Sequence, residues 1–178
     1  NYHGADGFSY TLRDGKGRTA NASVAVSIAP VNDAPTLATI SDQTILEGQT
    51  LSFPLVATDV DGDSLSFSLT GAGASLDSTG HFSFIALDGD ASHSFTVQVS
   101  DGQSVAERSF SVVVTNVAPT LSVSGAANAP GGLPYTVRLA ASDPGHDAIS
   151  AWLVNWGDGR SDTLPGSATE ASHLYSRA

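Results

Sequence analysis

Phe95-Thr96-Val97-Gln98-Val99-Ser100-Asp101-Gly102 alternates apolar and polar residues and then breaks at Asp-Gly. In an extended chain successive side chains point to opposite faces, so this alternation describes a strand with one face in a core. The pattern recurs along the chain. Phe8, Tyr10 and Leu12 make one run and Val24, Val26 and Ile28 another. Leu51, Phe53 and Leu55 follow, then Leu65, Phe67 and Leu69, then Phe110, Val112 and Val114, and finally Tyr135, Val137 and Leu139. Gly, Asp, Asn and Pro punctuate the runs at roughly 8–12-residue spacing, as in β-sandwiches. Helical periodicity longer than a turn is missing. The fold expected is all-β: tandem β-sandwiches of Greek-key topology.

An internal repeat sets the expected boundaries. Val31-Asn32-Asp33-Ala34-Pro35-Thr36-Leu37 returns as Thr115-Asn116-Val117-Ala118-Pro119-Thr120-Leu121, with the Ala-Pro-Thr-Leu copies 84 residues apart. That interval is about one immunoglobulin-like sandwich. Each copy follows a Val-rich segment that starts after Asp-Gly, at Asp14-Gly15 and at Asp101-Gly102. Pro35 and Pro119 stiffen the entry to the next strand by fixing φ. The division expected is the closing hairpin of one domain over 1–33, a complete sandwich over 34–117 and the first part of another over 118–178. A sandwich short of two strands exposes core and edge.

Charge narrows the partners. The net charge is -11, from 15 Asp and 3 Glu against seven basic residues. Such a chain suits neither nucleic acid nor an anionic membrane surface, both of which need Lys and Arg clusters. No apolar run is long enough to insert in a membrane. Cysteine is absent, so a stiffener in an extracellular setting would have to be something other than a disulfide, and metal is the usual substitute. Met is absent as well, even at position 1, which predicts an interior piece of a longer polypeptide.

The acidic run Asp59-Val60-Asp61-Gly62-Asp63-Ser64 follows the strand-like stretch Leu51 to Thr58. Three carboxylates within five positions repel one another unless something screens them. Hard cations such as Ca²⁺ gather several oxygens at about 2.3–2.6 Å. The alternative is a plain acidic turn, since Asp and Gly are favoured turn residues. An EF-hand does not fit, because its Gly at position 6 and carboxylate at position 12 fall on Ser64 and Thr70.

These residues resemble known families. Asn1-Tyr2-His3-Gly4-Ala5-Asp6-Gly7-Phe8-Ser9-Tyr10-Thr11, with Asp14-Gly15-Lys16-Gly17 and Val31-Asn32-Asp33-Ala34-Pro35, resembles the closing third of a bacterial cadherin-like tandem repeat of giant secreted adhesins. Residues 36–118 resemble a cadherin-like domain of the dystroglycan type. Trp152-Leu153-Val154-Asn155-Trp156-Gly157-Asp158-Gly159 resembles the Trp-x-Phe-Gly-Asp-Gly motif of polycystic-kidney-disease (PKD) domains. The resemblance implies immunoglobulin-like/cadherin-like sandwiches with Ca²⁺ at their junctions. At the first junction it implies Asn32, Asp33, Asp59, Asp61 and Asp101 as ligands. At the second it implies Glu47, Asp88, Asp90, Asn116 and Asp143, with Asp147 as a further candidate. The linker departs from the animal cadherin form, being one residue shorter, and Val117 replaces the second linker's Asp.

Other chemistry finds little footing. The five His, at 3, 81, 93, 146 and 173, show no zinc spacing and are expected in solvated loops or strands. No Gly-x-Ser-x-Gly elbow, thiol or phosphate loop stands out, so no enzyme is expected. Trp152 and Trp156 fall on one strand face, either in a core or as an aromatic strip for sugar rings. Asp158 reads as a hairpin turn residue.

The leading expectation is a structural repeat module of a large extracellular or cell-surface bacterial adhesin, stiffened by Ca²⁺ where it meets neighbouring repeats of the same polypeptide. One alternative is a carbohydrate-binding accessory module of a secreted enzyme, taking a polysaccharide or cell-surface ligand. Another is a subunit of a head-to-tail polymer completed by strand addition.

Overall fold

Period-two alternation produces strands throughout. A computed structural model describes residues 2–129, 131–145 and 147–175; of the residues singled out above, Asn1 and His146 lie outside the described residues. Among the described residues it contains sixteen strands and no helix, hence no helix long and apolar enough to cross a membrane. Every sheet keeps to one of three stretches of chain.

The first stretch is a hairpin, β1 (Gly4–Arg13) with β2 (Thr19–Ile28), antiparallel with Phe8 opposite Val24. Its turn is held by Asp14, whose Oδ1 accepts the amides of Lys16 and Arg18. Half-buried strands are expected from the alternation. Both strands form, but the apolar face of Phe8, Tyr10 and Leu12 is exposed, because β1 and β2 are a two-stranded sheet with no second layer over them.

The second stretch carries β3 (Thr36–Leu37), β4 (Gln43–Leu46), β5 (Thr50–Pro54), β6 (Ala57–Thr58), β7 (Ser66–Thr70), β8 (Ala74–Leu76), β9 (His81–Ile85), β10 (Ala91–Ser100) and β11 (Val105–Thr115). One sheet has the order β4-β11-β10-β7, and a second has the order β5-β9-β8. β4 runs parallel to β11, from Gln43 opposite Val112 to Leu46 opposite Thr115, whereas β10 and β11 form a long antiparallel hairpin. The inward residues of the hairpin, Phe95, Val97, Val99, Phe110, Val112 and Val114, meet Phe82 and Phe84 of β9. Phe82 sits at the centre, its ring 5.1 Å from Phe53, 5.2 Å from Phe95 and 5.3 Å from Phe110. Tilted and edge-on pairs like these add about 0.5–1.5 kcal/mol each beyond area burial. This is an aromatic core closed on both sides.

The third stretch carries β12 (Thr120–Gly125), β13 (Pro134–Ser142), β14 (Ala151–Asn155), β15 (Ser161–Pro165) and β16 (Glu170–Leu174). Its sheets are β12-β13-β16 and β14-β15. Trp152, Val154 and Trp156 turn to one side and pack with Val137, Leu139 and Ala171. Both tryptophans therefore face the interior, and their ring N–H groups donate to Gly166 O (3.3 Å) and to Asp162 Oδ2 (2.7 Å). The expectation of solvated histidines fails at His173, which is 8% exposed. Its ring stacks on Trp156 at 4.9 Å, meets Tyr175 edge-on at 4.6 Å and bonds Asp158 Oδ2 at 2.8 Å. The reason is period two on β16: Ala171 and His173 share the inward face. Asp158 is a turn residue, accepting Arg160 N–H at 3.0 Å, and is also the partner of this buried imidazole. The imidazole hydrogen bond comes first among the causes that hold the Asp158 carboxyl below its ordinary value.

Candidate metal centre

The turn after β6 is shaped by its first carboxylate. Asp59 Oδ1 accepts the amides of Asp61 at 2.9 Å and Asp63 at 3.3 Å, curling the chain back over itself. Gly62 takes φ +79° within that curl, a conformation side-chain-bearing residues rarely adopt. The result brings one carboxylate oxygen each of Asp59, Asp61 and Asp63 within 4.8 Å of one another. Asp59 Oδ2 is buried and has no hydrogen-bond partner. An unpartnered buried carboxylate oxygen is costly unless a cation or water satisfies it. This donor set of hard carboxylate oxygens fits Ca²⁺.

The linker closes on this turn. Asp61 Oδ2 accepts the Asp33 N–H at 2.7 Å. Asn32 Nδ2 donates to Asp101 Oδ2 at 2.9 Å, and Asn32 Oδ1 accepts from Gln103 Nε2 at 3.0 Å. Asp101 Oδ1 accepts the amides of Gln103 and Ser104, both at 2.6 Å. The Ser104 amide first, then the Asn32 side chain and the Gln103 amide, hold the Asp101 carboxyl below its ordinary value. Asn32, Asp61 and Asp63 line one open groove of about 330 Å³, together with His3 and Gln103.

Of the five residues expected at the first junction, Asp59 and Asp61 converge directly. Asp33 reaches Asp61 through its backbone N–H, and Asn32 and Asp101 are bonded to each other. Asp63 joins the carboxylate cluster although the resemblance did not supply it; its signal was its place two residues after Asp61.

The second linker is built around a buried carboxylate. Glu47 is 2% exposed. Its Oε2 accepts Gly89 N–H and its Oε1 accepts Val117 N–H, both at 2.8 Å. Gly145 lies so close that a Cβ there would overlap the Glu47 carboxylate. Glu47, Asp88 and Asp147 each place a carboxylate oxygen within 4.8 Å of the others. Desolvation, followed by the charges of Asp88, Glu47 and Asp143, raises the Asp147 carboxyl above its ordinary value. Asp90 Oδ1 accepts the Asn116 N–H at 3.2 Å, and Asp143 Oδ1 accepts the Gly145 N–H at 2.9 Å. The structure thus gathers Glu47 and Asp88 with Asp147, joins Asp90 to the Asn116 backbone of the second linker, and turns Asp143 to a bond within its own loop.

Residues 32–115 match the family model described as "Bacterial Ig domain". Among curated proteins nothing matches. Solved structures similar to the chain include human protocadherin-24 EC1-2, with 24% identity and a TM-score of 0.42 over 64% of this chain and 62% of that one. A chimeric titin Z1Z2 is 18% identical, with a TM-score of 0.38 over 48% of this chain and 98% of that one. An endo-fucoidan hydrolase from glycoside hydrolase family 107 is 18% identical, with a TM-score of 0.44. The chain aligns over 98% of its own length there but spans only 30% of the hydrolase. The residues that match the bacterial Ig domain model are the middle β-sandwich, β3 to β11.

Proposed function

We propose that the chain is a structural repeat module of a large extracellular, adhesin-type bacterial protein, and that Ca²⁺ at its linkers fixes the angle between successive sandwiches. The observation that carries this is the Asp59–Asp63 turn: three converging carboxylates, one with a buried unpartnered oxygen, and one gripping the linker at Asp33. Asp59, Asp61 and Asp63 would hold the ion, with Asn32, Asp33 and Asp101 beside them. A bound Ca²⁺ would supply the positive charge that cancels their repulsion. The chain's own residues do the rest: Asp61 holds the linker backbone, and Asp101 with Asn32 ties that linker to the loop between β10 and β11. Glu47, Asp88 and Asp147 form the counterpart at the second linker.

A thermal melt with Ca²⁺, with Mg²⁺ and with chelator tests this, alongside Asp59→Ala/Asp61→Ala. Weak extracellular sites have Kd values of about 10⁻⁴–10⁻³ M. At 10 mM Ca²⁺ such a site adds roughly 1.4–2.7 kcal/mol by mass action. For a domain of this size, that raises the midpoint by about 6–20 °C. The rise should be absent with Mg²⁺ and in the double variant. An unshifted wild-type midpoint at this calcium level would reduce the turn to a metal-free acidic loop.

A further inference from the structure

Three glycines stand where the middle sandwich, the second linker and the third stretch approach one another. Gly48 follows Glu47 in the turn between β4 and β5 and takes φ +75°. A Cβ on it would lie 2.8 Å from Pro144 O and 3.0 Å from Pro144 Cβ, in the loop after β13. Gly145 is the next residue of that loop, and a Cβ there would overlap the Glu47 carboxylate. Gly89 lies between β9 and β10, where a Cβ would overlap the Asn116 backbone of the linker. Each glycine therefore marks a place where one segment has closed on another to backbone distance.

Both sides of this contact are held from within. Glu47 N–H donates to Thr115 O at 3.1 Å and Gly48 N–H to Ala86 O at 2.7 Å, which ties the turn to the ends of β11 and β9. The linker is tied to the same end of the sandwich, by Val117 N–H on Glu47 Oε1 and by Asn116 N–H on Asp90 Oδ1. In the third stretch, Asp143 Oδ1 accepts the Gly145 N–H and so fixes the loop that meets Glu47. Pro144, between them, has a fixed φ. None of these contacts requires a cation. The Glu47 charge is met by two amides, and Asp88 and Asp147 are exposed, so water and salt screen their repulsion.

We propose that the second linker is a joint set by the protein itself: the Glu47–Gly48 turn and the Pro144–Gly145 loop interlock and fix the angle between the middle sandwich and the third stretch without a bound ion. Packing at backbone distance leaves no slack for rocking, so the joint bends only by separating the two segments. Separation strips the cover from Glu47 and its bonds to the linker. A cation on Glu47, Asp88 and Asp147 would strengthen an angle already chosen. The proposal stands apart from the calcium reading of the first linker, whose ligands belong to the other end of the middle sandwich.

The chain has no cysteine, so Ser68→Cys/Ser122→Cys places two spin labels without competing thiols. One label sits on the exposed side of β7 and the other on β12. Double electron–electron resonance on the full chain in chelator reads the distance between them. The expected result is one narrow distance that Ca²⁺ leaves unchanged. In this background Gly145→Ala pushes a methyl group into the Glu47 carboxylate. Neither Gly145 nor Gly89 has positive φ, so an alanine at either strains the joint and not its own backbone. Gly145→Ala should replace the single distance by a broad distribution in chelator, and Gly89→Ala, acting from the linker side and outside the third stretch, should do the same. Tryptophan emission, which reports the third stretch, should match wild type in both. A wild-type distribution that is broad in chelator overturns the proposal, whether or not Ca²⁺ narrows it. So does a narrow distance that survives both substitutions. Failure of the calcium reading would show instead as an unshifted melt, and would leave a narrow distance in chelator as it is.

Discussion

Replacing Glu47 tests whether the second linker is held by the protein or by an ion. The carboxylate is buried and accepts two backbone N–H groups that reach it from residues 42 and 70 positions further along the chain. In Glu47→Ala both Gly89 and Val117 amides lose their acceptor. A hydrogen bond to a charged partner contributes about 1.5–3 kcal/mol, and a buried donor left unsatisfied costs about 1–3 kcal/mol. Two such losses come to roughly 2–5 kcal/mol, the lower end applying where water enters the space left by the side chain. For a domain of about 84 residues, each kcal/mol moves the midpoint by about 4–8 °C, so the fall should be about 8–40 °C. Glu47→Gln keeps one acceptor oxygen and turns an amide toward the other donor, so it should lose more than half of that. The assay is a thermal melt in chelator, paired with hydrogen exchange at Gly89 and Val117, the two amides expected to lose protection. A fall of less than about 3 °C for Glu47→Ala in chelator would refute the reasoning. It would mean that Glu47 matters, if at all, only as a metal ligand.

Two further outcomes follow from the same geometry. The Asp101 carboxyl is held below its ordinary value, chiefly by the Ser104 amide. A lowered folded value contributes stability above about pH 4, and that contribution is lost as pH falls through the lowered value. Urea midpoints at pH 6 and pH 3 should therefore show wild type ahead of Asp101→Ala at the higher pH, with the gap closing at the lower. His173→Ala should destabilise the third stretch and leave the aromatic core of 34–117 in place. Tryptophan emission reads this directly, since Trp152 and Trp156 are the only tryptophans in the chain. A red shift at a temperature where far-UV signal persists is the expected result.

Long alternating strands were legible because a period of two is a local signal. β10 and β11 could be read from Phe95, Val97, Val99, Phe110, Val112 and Val114 alone. β3, β6 and β8 were not, since two or three residues carry no period. The acidic turn was legible as three aspartates, but Asp63 was left out of the ligand set because the resemblance stopped at an Asp-x-Asp pair. The resemblance pointed to Glu47, yet its bonds to Gly89 and Val117 are long-range and have no local trace. His173 was missed for a different reason. A lone histidine has no metal spacing, and its meaning came from sharing a strand face with Ala171 and from Asp158 fifteen residues earlier.

The parallel pairing of β4 with β11 bears on mechanics. β4 lies near the start of the middle sandwich, and β11 is its last strand. Tension drawn from one linker to the other pulls these neighbours along their axes in opposite directions. The hydrogen bonds between Gln43–Leu46 and Val112–Thr115 then share the load in shear and must fail together; in a hairpin loaded at its open end they would peel one at a time. A sandwich wired this way should yield abruptly and at high force in single-molecule pulling. Separately, under the proposed calcium reading, the turn at Asp59–Asp63 would govern only how straight the tether hangs beforehand. Stiffness at low load and strength at high load would thus reside in different parts of the same chain.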